Sequence, residues 1–343
     1  MSAKPRIRFS VIGLNHYHVY MQIDSLLKGG GELVSCWAKE PELRAVFKEK
    51  YPDAKLASSE KEVLEDETIQ LVTGAGIPNE RAPIGIRVMQ HGKDYLVDKA
   101  GFTDLGQLAE ARKVQKETKR IYSVYYVERL ESASTIHAAE LARKGAIGKV
   151  VQTIGLGPHQ LNAPKRPDWF FRKAQYGGIL TDIASHQADQ FLYLTGSTKA
   201  EVKYARVANN AHPEFPELED FGEANFLGDG GSGYIRVDWY TPDGLKTWGD
   251  GRLIVLGTEG YIEVRKYADI AHRPGEDHLI VVDKKETRYV NCQGMPLPFG
   301  EQLVFDVVNR TETANDQELC FLASELALKA QAMAEGHGNS KKS

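Results

Sequence analysis

The chain has 343 residues, 42% of them hydrophobic and 26% charged, with a net charge of −4. That length suggests two domains, and the mild negative charge removes the electrostatic reason to expect nucleic acid or an anionic membrane as partner. No window reaches the roughly 20 apolar residues that span a bilayer. The three cysteines, Cys36, Cys292 and Cys320, are too scattered for a disulfide framework or zinc cluster. The opening "MSAKPRIRFSVIG" shows no apolar core of a secretion signal, so a cytoplasmic location is expected. The tail "EGHGNSKKS" reads as frayed.

The first 126 residues alternate strand and helix signals. "IRFSVI" reads as a strand running into "GLNHYH". Gly13 would supply the tight turn of a dinucleotide loop, but Asn15 and His18 stand where the fingerprint G-x-G-x-x-G has its later glycines. A phosphate can still rest on helix N-terminal N–H groups, since that attraction comes from the backbone. Asn15 tolerates unusual backbone angles, and His16 and His18 line or cap the loop. A metal reading of Asn15-His16-Tyr17-His18 needs further ligands that the local sequence does not supply, so no metal is expected.

A second strand, "ELVSCW", ends near Ala38, Lys39 and Glu40. The acid that binds the adenosine ribose is missing at Ala38. Lys39 would attract a 2′-phosphate, and Glu40 could reach the ribose instead, so NAD and NADP both remain open. Ser59 and Glu62 form a capping box. "IQLVTG", a helix over 83–92, the strand "DYLVD", a helix after Asp104 and the strand "IYSVYY" follow. The alternation predicts a parallel sheet with helices on both faces and a ligand crevice at the carboxyl ends of its strands.

Beyond Tyr126 the pattern changes. A helix near 132–144 leads to "KVVQTIGLG", then to a loop rich in Pro, Arg and Trp. A helix over 178–194 places Asp182 and His186 four residues apart on one face, with Asp189 three further on. An imidazole oriented by a carboxylate suits proton transfer near neutral pH. Strand signals dominate from 200 onward and predict an open, mainly antiparallel sheet whose apolar outer face is an oligomer interface. Two helices close the chain. His159, Arg166 and Trp169 precede the 178–194 helix and are candidates to contact a sugar, as is Tyr126 at the domain junction. Trp248 in "DGLKTWGDGR" is a candidate for the same pocket or for a subunit contact.

Together these segments resemble the glucose–fructose oxidoreductase / inositol dehydrogenase family (Gfo/Idh/MocA) along nearly the whole chain. The resemblance runs through the strand–glycine start, "IPNERAPIGIRVMQHGKDYLVDKAGF", "ARKGAIGKVV", "GGILTDIASHQADQFLYLTG" and "ILGTEGYIEV". It implies an α/β chain: a Rossmann domain over 1–126 and a second α/β domain with a large open sheet over 127–343. It also implies an NAD or NADP cofactor and oxidation or reduction of a ring hydroxyl of a sugar, glycoside or cyclitol. By that resemblance Lys99 matches the motif lysine that contacts substrate and nicotinamide, Asp182 the substrate-binding acid and His186 the general base. Gly13, Asn15, His16, Lys39, Pro78 and Asn79 fall among the expected cofactor contacts. The Glu-Lys-Pro motif departs to Asp98-Lys99-Ala100. A homodimer or homotetramer through the second-domain sheet is expected. Two other readings stay open: a redox-neutral glycoside-processing enzyme that keeps its nicotinamide, and a non-catalytic NAD(P)-binding sensor.

Overall fold

The computed structural model describes residues 5–339. The chain folds into two compact units, 1–125 with 298–321 and 126–297 with 322–343. Residues 298–321, beyond the expected boundary at 126/127, thus pack with the first unit.

The first unit carries six parallel strands, β1 (Ile7–Ile12), β2 (Gly31–Trp37), β3 (Lys55–Leu56), β4 (Leu71–Gly74), β5 (Asp94–Asp98) and β6 (Tyr122–Tyr125), in the order β3-β2-β1-β4-β5-β6. β4, β5 and β6 are buried throughout, as strands covered on both faces must be. The order reverses between β1 and β4, the switch point at which such sheets bind ligands. Helices follow at His18–Gly29 and Pro78–Gln90. The second starts five residues before the expected 83, because Pro78 at its first position needs no N–H partner and Pro83 is accommodated inside it. Asp104 caps the helix Leu105–Thr118 through the Gln107 N–H, and Ser59 caps Glu60–Glu65.

The helix Phe299–Asn309 belongs to this unit because Gly300 meets Gly29 at backbone contact; a Cβ on Gly29 would sit 2.4 Å from the Gly300 carbonyl oxygen. Arg310 clamps Asp94 with two bonds at 2.6 and 3.0 Å. Gln317 pairs with both backbone groups of Tyr122, at 2.8 and 2.7 Å. That satisfies a buried edge of β6 that would otherwise be left open.

The second unit is built on eight strands: β7 (Val150–Pro158), β8 (Ala200–Ala208), β9 (Phe221–Gly228), β10 (Ser232–Asp238), β11 (Arg252–Gly257), β12 (Tyr261–Arg265), β13 (His278–Val282) and β14 (Thr287–Asn291). Their order is β14-β13-β12-β11-β7-β10-β9-β8, antiparallel except where β10 meets β7. In β11 and β12 side chains alternate strictly. Leu253, Val255, Ile262 and Val264 are buried under the helix Ala133–Arg143, while Leu256 and Tyr261 are exposed on the other face. The expected tail is helical through Asn339, and residues 340–343 lie outside the described ones.

The expected helix over 178–194 is two pieces, Ile179–Asp182 and Ala184–Thr195, joined at Ile183. The His186 N–H bonds to Ile183 three residues back, so Asp182 and His186 do not share one continuous α-helical face. Glu219 explains the separate start: its carboxylate accepts the Ile179 N–H at 2.9 Å, an anion at a helix N-terminus. The second piece seats on β7 at Gly155, where any Cβ would come within 2.8 Å of the Gln187 side chain. Gly155→Val should therefore push this helix off the sheet and destabilise the protein by about 1–3 kcal/mol, as overpacking does. Urea unfolding read against Val151→Ala, at an exposed position near the start of the same strand, checks this.

Candidate active site

The first unit offers a nucleotide cradle. Gly13 ends β1 with φ +88°, and a Cβ there would lie 2.7 Å from Gly76 Cα. The loops after β1 and β4 are therefore in backbone contact, which only glycine permits. They are also zipped by Ala75 N–H to Gly13 O and His16 N–H to Ala75 O, both 3.0 Å. His18 opens the following helix, in which the Val19 and Tyr20 N–H groups already close onto the His16 and Tyr17 carbonyls at 3.2 and 3.0 Å. At the start of the helix after β4, Pro78 is buried and Asn79 Oδ1 is shut from solvent with no hydrogen-bond partner. An orphaned buried amide oxygen is what a ligand donor would satisfy, so the residues present fit a dinucleotide.

The end of β2 carries acidic groups. Lys39 is paired with Glu80 at 2.7 Å, and Asn15 donates to Glu40 at 2.8 Å. Lys39 is thus neutralised where a 2′-phosphate would need it.

Beneath the loop lies a charge cluster the sequence does not reveal. Asp98 has no exposed side-chain surface. Its Oδ1 lies 2.8 Å from His18 Nδ1 and its Oδ2 2.8 Å from His16 Nδ1, with Arg81 Nη2 at 3.3 Å. Arg81 is itself fully buried, donating to the Gly76 carbonyl at 2.7 Å and to the Lys99 carbonyl. Burial pushes the Asp98 carboxyl up, but His18, His16 and Arg81 outweigh it and hold the group well below the usual carboxylate range. His16, His18 and Asp98 bring one ligand atom each within 4.8 Å of one another, the set that could hold a metal. The contacts are at hydrogen-bond length, and the cations here, Arg81 on the same carboxylate oxygen and Lys99 next in sequence, oppose a further dication. Lys99 is buried directly after β5, and the Lys99–Ala100 peptide is cis.

The second unit gathers another polar core. His186 is buried, with Tyr126 edge-on at 6.3 Å. Glu128 and Lys266, both about wholly buried, form an ion pair at 2.6 Å, and Gln187 donates to the same Glu128 oxygen at 2.9 Å. Burial raises the Glu128 carboxyl, but Lys266, His186 and His159 bring it well below the usual range. His159 Nδ1 donates to the Gly157 carbonyl at 3.0 Å, and the ring packs edge-on against Trp239 and Trp248. Arg166 spreads over Phe170 and Trp239; burial lowers its pKa and the nearby Asp182 carboxylate opposes that shift. Asp182 is itself buried.

Trp169 sits in the turn Asp168–Phe171 and packs on Phe170; the aromatic faces around His159 are Trp239 and Trp248 instead. Asp189, expected on the face of His186, is clamped by Arg129 with bonds at 2.6 and 2.8 Å and belongs to the framework. Arg129→Met should cost about 3–5 kcal/mol, because it leaves a buried carboxylate unpaired. Denaturant unfolding measures that.

Comparison with known proteins decides the family. A protein of Erwinia carotovora atroseptica SCRI1043 described as a candidate oxidoreductase is 43% identical, superposes with a TM-score of 0.93, and is matched over 96% of this chain and 98% of its own. The family model for the GFO/IDH/MocA C-terminal domain matches residues 135–263. The chain belongs to the Gfo/Idh/MocA family. Among curated relatives, the scyllo-inositol 2-dehydrogenase (NAD(+)) of Bacillus subtilis strain 168 is 29% identical over 59% of this chain and 56% of its own length. The D-xylose dehydrogenase of Paenarthrobacter nicotinovorans is 25% identical over 48% and 42%. The chain thus spans about half the length of the curated relatives it matches.

Within this Gfo/Idh/MocA chain, the loop histidine His16 carries a pH signature. Loss of hydration, His18 and Lys99 push its pKa down to about 4 against the pull of Asp98. Below pH ~6.5 the unfolded chain protonates this histidine while the folded one does not, so its share of stability is present at neutral pH and is lost as pH falls toward the folded value. Melting scans should show a smaller loss of Tm between about pH 7 and pH 5 in His16→Asn than in the parent protein.

Proposed function

We propose that this protein is an NAD-dependent dehydrogenase acting on a ring hydroxyl of a sugar or cyclitol. The observation that carries the reading is the Gly13–Gly76 backbone contact at the sheet's switch point, beside the orphaned Asn79 oxygen. Two curated relatives, whose names describe oxidation of a cyclitol and of an aldose, support the substrate class.

In this reading Gly13, the loop Asn15–His16, Pro78 and Asn79 hold the dinucleotide. The bound nicotinamide supplies the hydride acceptor. His186 accepts the hydroxyl proton, Asp182 holds the substrate, and Lys99 stabilises the developing alkoxide. The Glu128 carboxylate, kept ionised by Lys266, interacts with His186 and attracts the imidazolium that forms. His159, Arg166 and Tyr126 contribute substrate contacts, with Trp239 and Trp248 offering apolar faces. Glu80 and Glu40 at the ribose end favour NAD over NADP.

A panel of sugars, glycosides and cyclitols assayed with both nucleotides by reduced-nicotinamide absorbance tests the reading. We expect turnover with NAD at least about tenfold better than with NADP, and a loss of about 100-fold or more in kcat for His186→Ala. An unaltered kcat in that variant would remove His186 from the role.

The exposed apolar residues of the open sheet, among them Leu227, Leu256 and Tyr261, are proposed as part of a homodimer or homotetramer contact. Light scattering should report an oligomer that Leu256→Asp weakens.

A further inference from the structure

The loop histidines have no part in the proton transfer just described. Asp98 Oδ1 hydrogen-bonds His18 Nδ1, and its Oδ2 lies 2.8 Å from His16 Nδ1 without the alignment of a hydrogen bond; a lone pair on that nitrogen would face the carboxylate, so the charge favours a proton there. While the His16 ring is neutral, its proton therefore sits on Nδ1, and Nε2 on the opposite edge keeps a lone pair. The Nδ1 atom is shut from solvent, yet the side chain keeps 25% of its surface, so the exposed part of the ring lies away from Asp98. The backbone is fixed too, through His16 N–H to Ala75 O. The ring is therefore locked at the carboxyl ends of β1, β4 and β5.

The titratable and charged groups around it are His18, Asp98, Arg81 and Lys99. Their balance keeps the imidazole neutral at physiological pH. A neutral ring whose only N–H sits beside Asp98, shut from solvent, has no donor for a phosphate oxygen. The role a histidine in a phosphate loop would ordinarily suggest is closed to this one.

We propose that His16 reads a hydroxyl: its Nε2 accepts a hydrogen bond from a hydroxyl of the ligand bound at these strand ends, with Asp98 as the positioning residue that fixes the tautomer. The hydroxyl comes from the nicotinamide ribose or from the sugar. The inference rests on the dinucleotide reading above and adds a specificity-determining side chain to it.

The test uses full-length protein with ¹⁵N-labelled histidine, NADH, and D-xylose, D-glucose and scyllo-inositol as probes. NADH binding by the parent protein is measured first. No binding there fails the dinucleotide reading itself, and this inference with it. Where NADH binds, the His16 Nε2 resonance should show an unprotonated nitrogen at about pH 7. It should move on adding NADH if the ribose supplies the hydroxyl, or only on adding one of the sugars to the NADH complex if the sugar does. No movement with any of the four probes overturns the proposal, as does an Nε2 that is protonated from the start.

Two variants read the same point by affinity. His16→Asn keeps an N–H for Asp98 but has no acceptor at the Nε2 position, whereas His16→Gln can place a carbonyl oxygen there. The ligand whose addition moves Nε2 should bind about tenfold more weakly to the Asn variant and recover in the Gln variant. Asp98→Asn, where it folds, should reverse the His16 tautomer and weaken the same ligand. Equal affinities in the parent and the Asn variant overturn the proposal. So does NADH affinity that rises on acidification in the parent alone, which marks a phosphate contact. Stoichiometric zinc held by the parent and lost in the Asn variant overturns it in favour of a metal centre.

Discussion

A full negative charge with no exposed surface organises the first unit. Asp98 lost its hydration when β5 was covered on both faces, and desolvating a carboxylate is costly unless each oxygen is matched. Arg81, His16 and His18 do the matching. Arg81 comes from the helix after β4, and the histidines come from the loop and helix after β1. The charge thus ties the two loops at the switch point to the strand that delivers Lys99. Removing any partner would loosen the cradle as well as a salt bridge.

The same logic recurs in the second unit with other residues. Glu128 is held by Lys266 and Gln187, and Asp189 by Arg129. Gln187 and Asp189 follow His186 within one turn, so both anchors act on that helix. Glu219 fixes where its preceding short turn begins. A helix held by a buried ion pair at Asp189 and a buried hydrogen bond at Gln187 has little freedom to rotate. That suits the proton transfer proposed for His186. The cost of the buried charges is offset by hydrogen bonds that also set geometry, and part of the fold's polar core sits beside its chemistry for that reason.

Much of this was legible in the sequence, and the exceptions share a cause. Apolar runs located β1, β2, β4, β5 and the long strands of the open sheet, because alternation and burial are local signals. Asp104 and Ser59 marked helix starts for the same reason. The break at Ile183 was invisible: it depends on Glu219, forty residues away from Ile179, and "ILTDIASHQ" has helical spacing throughout. Asp189 looked like part of the reactive face until Arg129, 60 residues earlier, claimed it. Asp98 and Lys266 carry no motif that names their partners 80 and 138 residues off. The return of 298–321 to the first unit turns on a Gly29–Gly300 contact that no periodicity encodes.

The loop "GLNHYH" shows why a fingerprint can erode while its architecture stands. The first glycine is irreplaceable because Gly76 occupies the space of its Cβ. The later positions need only a backbone held close to the ligand, and side chains can hold it. Asn15 is tied to Glu40 and His18 to Asp98, each by a bond of 2.8 Å. A bare glycine loop reaches its bound shape at an entropic cost, whereas a loop with side chains fixed to the strand ends is ordered beforehand. The substitution also changes what the loop can say to a ligand. Glycines offer only N–H donors, while a neutral imidazole fixed in one tautomer adds an acceptor. A loop that in its glycine form reads phosphate acquires, through one buried carboxylate, the means to read a hydroxyl.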